Sequence, residues 1–137
     1  MPRIGVQRAL SITQIATGLG ILVFWTLFFT VGMAPAQPAR CYFSFEHAFP
    51  PADTILALGL IGSGFNVLTE KTWGPSIALA CAGGLLFLGV LDLSFTVQNG
   101  GFSGPIVEAL QSGLISVWCI GVGLWIIATH GIRTPNR

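Results

Sequence analysis

Apolar residues run almost unbroken through four stretches of this chain, and polar residues collect between them. The stretches are 9–32 ("ALSITQIATGLGILVFWTLFFTVG"), 52–68 ("ADTILALGLIGSGFNVL"), 77–97 and 106–129. Each lies near the ~20 residues that carry a helix across a hydrocarbon core of about 30 Å, and 52–68 is the shortest. The segments between them, "MAPAQPARCYFSFEHAFPP", "TEKTWGPS" and "QNGGFSGP", are rich in Pro, Gly and polar residues, which end helices. Nothing alternates as a β-barrel strand would, and unpaired backbone groups are costly in lipid. The pattern predicts one domain over 1–137, an all-α integral membrane four-helix bundle.

Composition supports that solvent. The chain is 53% hydrophobic and only 8% charged, against about 25% charged in soluble domains. A net charge of +1 gives no basis for nucleic-acid binding. Arg3 and Arg8 before an apolar stretch, with "APA" at 34–36, imitate a secretion signal. The stretch 9–33 far exceeds the ~7–15 residues of a signal core, so it is read as a retained helix.

The charge distribution predicts orientation. With four spans, Arg3, Arg8, Lys71, Arg133 and Arg137 share one side and Arg40 alone takes the other. That bias places both termini in the cytoplasm (N-in/C-in) and the protein in the inner, cytoplasmic membrane. The acids fall opposite: Glu46 in the first outer loop, Asp53 and Glu108 at outer helix starts, Asp92 in the outer part of the third helix. Glu70 alone is cytoplasmic.

Small residues mark expected helix contacts, Gly59, Ser63 and Asn66 on the second helix and Ala80 and Gly84 on the third. Tyr42, Trp73 and Phe102 read as interfacial aromatics. Cys41, Cys81 and Cys119 form no CxxC, which sets aside thiol-redox membrane enzymes. Helix geometry also keeps them from pairing: Cys81 and Cys119 differ in depth by ~9 Å, beyond the ~7 Å Cα reach of a disulfide.

Asp92 is the candidate centre. At 100° per residue Cys81, Leu85, Asp92, Thr96 and Asn99 fall within about 40° of one line on the third helix. A carboxylate turned to lipid costs roughly 2.5–3.5 kcal/mol on insertion scales, so Asp92 is expected to face the bundle or a wet cavity. Glu108, Ser112 and Cys119, with Gln111 beside them, stripe the fourth helix. With Glu46, His47 and Asp53 they outline one outward-opening polar pocket. The segment 42–49 is expected to fold over its mouth and bring His47 or Arg40 towards Asp92, Asn99 and Glu108.

Three readings of these residues stand side by side. Asp92 is a buried hydrogen-bond anchor, or it binds a cationic or hydroxyl-bearing small molecule or lipid head group, or His47 joins Glu46, Asp53 or Glu108 on a metal. The last has only one histidine and no HExxH or paired-His spacing. Catalysis has no GxSxG, no phosphate loop and no ordered triad behind it; Glu46–His47 is the one acid/base pair on offer. No cofactor and no metal is called for.

"FEHAFPPAD" leading into the second helix and "LDLSFTVQNG" closing the third resemble the layout of small uncharacterised four-helix proteins of bacterial inner membranes, a likeness that implies no activity. More faintly, the layout is similar to the sterol-isomerase and sigma-2-type four-helix membrane fold, where acids inside a bundle hold a protonated amine or a sterol-like intermediate. Asp92 and Asp53 fit that logic; the intramembrane His/Glu pair is absent here, so the activity does not carry over. Small multidrug transporters are similar in size but use a first-helix Glu where this chain has Gln14.

The expected function is binding of a small amphiphile or lipid in an outward-facing acidic pocket formed by Asp92, Asn99, Glu108, His47, Glu46 and Asp53. The alternative is a non-catalytic accessory subunit of a larger membrane complex. The implied partners are membrane lipids, an amphiphilic ligand, and other membrane proteins or a second copy of the chain.

Overall fold

The computed structural model describes residues 2–131, with side chains from residue 4 onward. Arg133 and Arg137, on which part of the charge asymmetry rests, lie outside the described residues, as does the side chain of Arg3. Four long helices are present: α1 (Pro2–Val31), α3 (Phe49–Leu68), α4 (Gly74–Gln98) and α5 (Ile106–His130). A short α2 (Tyr42–Glu46) lies in the first connection, and a 3-10 turn (Gly101–Ser103) precedes α5. There is no strand among the described residues.

The helices extend beyond their apolar runs for a local reason. Pro50 and Pro51 fall in the first turn of α3, and Pro75 falls in that of α4. The first four backbone N–H groups of a helix have no partner within it, so a proline there removes nothing. "FPP" and "GP" therefore begin helices instead of ending loops.

Successive long helices run antiparallel. α1 packs along α3, α3 along α4, and α4 along α5, while α1 and α5 touch only sparingly. Small residues set the close approaches. A methyl at Gly18 would stand 2.6 Å from the Ala57 carbonyl, and one at Gly89 would stand 2.8 Å from that of Ser116. Gly59 lies against Cys81 and Gly84 against Leu56, as the small-residue spacing predicts. Ala80 departs from it and is exposed.

Leu10, Leu60, Cys81, Leu85, Val122 and Ile126 fill one end of the bundle, here the closed end. Polar groups join them: Ser11, Gln14 and Ser63 are fully buried, and the Ser63 hydroxyl donates to Gln14 Oε1 at 2.9 Å across α1 and α3. The outer surface is the more greasy side, with Ile55, Phe87, Ile106 and Leu114 each at least two-thirds exposed. Apolar outside and partly polar inside inverts the usual order of a protein in water. All four long helices are long and apolar enough to cross a membrane.

Candidate functional site

At the other end the helices part around a cavity of about 1330 Å³. The connection 33–39, α2 and the turn before α5 form its rim. α2 is fastened there by Phe45, whose ring stacks on Phe95 of α4 with centroids 3.9 Å apart and planes 5° from parallel. The Cys41 thiol donates weakly to Asn99 Oδ1 at 4.0 Å. From the other wall, the backbone N–H of Ala36 donates to Glu108 Oε1 at 3.2 Å.

The chain contains five carboxylates, and four of them, Glu46, Asp53, Asp92 and Glu108, line this cavity. Each comes from a different element: α2, α3, α4 and α5. No Lys, Arg or His lines it among the described residues. Nor do three or more His, Cys, Asp or Glu side chains among them stand close enough to hold a metal. The acids are spread around a wall that also carries Trp25, Tyr42, Phe45, Phe49 and Phe95.

The two helical aspartates are each pinned by one oxygen. Trp25 Nε1 of α1 donates to Asp53 Oδ2 at 2.9 Å, and the Ser116 hydroxyl of α5 donates to Asp92 Oδ2 at 2.7 Å. The Oδ1 of each accepts no protein hydrogen bond among the described residues, and both residues line the cavity. Ser116 is also 2.9 Å from the Ser112 carbonyl. Its hydroxyl has one hydrogen for two acceptors. An ionised Asp92 takes that hydrogen; a protonated Asp92 donates to Ser116, whose hydrogen then goes to Ser112. The anchor holds in both states.

Of the six residues expected to gather, Asp92, Asn99, Glu108, Glu46 and Asp53 line the cavity. His47 does not. Its exposed ring lies against Phe28 and Phe29 of α1, with centroids 6.4 and 5.8 Å away. One residue along a helix turns the side chain by about 100°, so Glu46 facing inward sends His47 outward. Arg40 is also exposed and outside the lining. The segment 42–49 does reach over the mouth, but it brings an acid and aromatic rings, not a cation.

The sequence pattern passed over Ser116, although it continues the Glu108–Ser112 stripe by one further turn. It gave no sign that Trp25, in the middle of an apolar run, would reach an aspartate on another helix.

Residues 5–100 match the family model described as a domain of unknown function, DUF8058. No curated protein and no solved structure matches the chain.

Proposed function

This chain belongs to the DUF8058 family, and from its site we propose that it is a multi-pass membrane protein that binds a small amphiphile with a cationic head in the acidic cavity. One observation carries the reading: four of the five carboxylates converge on one aromatic-walled space that no basic side chain enters among the described residues. Gathering like charges is unfavourable unless protons or a bound cation join them, and a cation keeps all four acids ionised. Aromatic faces attract ammonium groups through their quadrupole, and the remaining wall takes an apolar body. The accessory-subunit reading has no comparable observation in its favour.

The proposed orientation is N-in/C-in. Arg8 and Lys71 stand at the closed end and the four cavity acids at the other, and cations are retained on the cytoplasmic side. The cavity then opens to the outer face of the inner membrane.

The test uses the purified full-length protein in lipid nanodiscs. Dodecyltrimethylammonium is expected to bind saturably, and dodecanol and dodecanoate to compete poorly. Asp53→Asn together with Asp92→Asn is expected to weaken ammonium binding by at least about tenfold, the factor of a modest electrostatic contact. Equal binding of the alcohol, or of the doubly substituted protein, overturns the reading.

A further inference from the structure

The cavity has a second opening. α1 and α5 are the two helices of the ring that scarcely pack on each other, and the cavity wall runs out between them. Gly20 of α1 and Leu114 and Trp118 of α5 line the cavity, yet they are also exposed, Leu114 at 67% and Trp118 at 54%. Lining residues this exposed, on two helices that scarcely touch, leave the cavity wall uncovered between α1 and α5. The gap lies well along the helices, away from the rim at 33–39, and faces sideways. Leu19, Val23, Leu114 and Val117 around it are exposed and apolar, which suits hydrocarbon and not water.

The slot is closed by little. Trp118 Nε1 donates to Thr17 Oγ1 at 3.1 Å across the slot. Gly20 leaves the space beside it empty: a methyl added there would meet nothing within 4 Å. The contrast with Gly18 is direct, since a methyl two residues earlier would collide with the Ala57 carbonyl on α3. Gly18 makes a helix contact. Gly20 leaves a gap.

We propose that this slot between α1 and α5 is the route by which ligand enters, resting on the reading of the acidic cavity as a cation site. The ligand class is then narrower than a dissolved cation. It is a membrane-borne amphiphile whose ammonium head passes beneath Trp118 to Asp53 and Asp92 while its hydrocarbon chain lies in the slot. Charge complementarity selects the head, since the lining has acids and no base among the described residues. The exposed apolar border selects the chain.

The test pairs two ammonium probes in nanodiscs: tetramethylammonium, which has no chain, and a dodecyltrimethylammonium carrying a diazirine near its chain end. In the unsubstituted protein the diazirine is expected to crosslink to residues 16–20 and 114–118. Gly20→Phe fills open space, so the fold is retained, which a thermal melt checks. It is expected to cut long-chain binding by about tenfold, the factor that overpacking an occupied site gives, and to weaken tetramethylammonium binding far less. Trp118→Ala serves as a second variant and is expected to keep or speed long-chain uptake.

Unchanged long-chain binding in Gly20→Phe, or crosslinks confined to 33–39, overturns the slot and leaves the cation site standing. Loss of both probes in Gly20→Phe places residue 20 within the head-group site and equally overturns a separate slot. If neither probe binds the unsubstituted protein, the cation-site reading fails and the slot falls with it.

Discussion

The indole N–H of Trp25 on α1 meets the Asp53 carboxylate on α3 at 2.9 Å, and both side chains are only 7% exposed. This bond ties α1 to the bundle at the cavity end, where the apolar core has already given way to open space. A hydrogen bond to a charged group is worth about 1.5–3 kcal/mol when one partner is removed. Trp25→Phe retains most of the ring and withdraws the donor, so it is expected to lower unfolding stability by that amount. In a double-mutant cycle, Asp53→Asn is expected to cost less in the Trp25→Phe background than alone. Asparagine keeps an acceptor oxygen for the indole, so strictly additive effects in thermal melts would show that the carboxylate charge adds nothing to the bond.

Asp92 and Ser116 form the second pin, on the opposite wall. Asp92→Asn keeps the size and a hydrogen-bonding oxygen but removes the charge. It is expected to weaken dodecyltrimethylammonium binding several-fold on its own, while the fold persists. Ser116→Ala leaves the charge and frees the carboxylate to turn, with a smaller effect expected. Glu70→Gln is the control, because Glu70 is exposed in the connection at the closed end. A binding isotherm in which Asp92→Asn and Glu70→Gln coincide with the parent protein would remove Asp92 from the site.

Helical periodicity made most of this arrangement legible. The face carrying Cys81, Leu85, Asp92 and Thr96 follows from 100° steps alone, and a carboxylate in an apolar helix must turn inward. Connectivity supplied the rest, because antiparallel neighbours bring Asp53, Asp92 and Glu108 to the same end. Besides the Trp25 and Ser116 anchors, two things were not legible. The inward or outward sense of Glu46 and His47 depends on the roll of a five-residue helix, which Phe45 stacking on Phe95 fixes from a distance. The gap between α1 and α5 depends on which helices pack, and apolar residues that face lipid look in sequence like those that face a neighbour.

Glycines on either side of that gap separate packing from opening. Gly89→Ala places a methyl 2.8 Å from the Ser116 carbonyl and 3.1 Å from Cys119 Cβ, so α4 and α5 must move apart beside the Asp92 anchor. Overpacking of this kind costs about 1–3 kcal/mol. Gly20→Ala meets nothing and gains helix propensity, so its stability is expected to stay level or rise slightly. Melting curves of the two variants in the same detergent give the comparison, and equal destabilisation would contradict the close approach at Gly89.

The orientation is testable through the exposed thiol. Cys41 is exposed in the connection before α2, while Cys81 and Cys119 are buried. In intact cells an impermeant maleimide is expected to label Cys41 from outside, and a cysteine placed at Lys71 to react only after lysis. The reverse pattern would turn the cavity mouth to the cytoplasm and leave the cation-site proposal to be tested from that side.

Glu70 is the one described non-glycine residue with positive φ, at 58°. It follows the Thr69 cap of α3, where its N–H donates to the Val67 carbonyl and that of Lys71 to the Asn66 carbonyl at 2.8 Å. This paired closure of a helix end requires a left-handed residue, usually glycine. Glycines with positive φ follow α1 and α4, Gly32 at 79° and Gly100 at 69°. A side chain in that conformation costs roughly 1–2 kcal/mol, part of which a glycine returns through its freer unfolded state. Glu70→Gly is therefore expected to raise stability by about 0.5–1 kcal/mol. Glu70→Ala, which loses the carboxylate and keeps the strain, is expected to change little, and Gly100→Ala to lower stability by about 1 kcal/mol. A rise in melting temperature common to Glu70→Gly and Glu70→Ala would assign the effect to charge and not to the backbone.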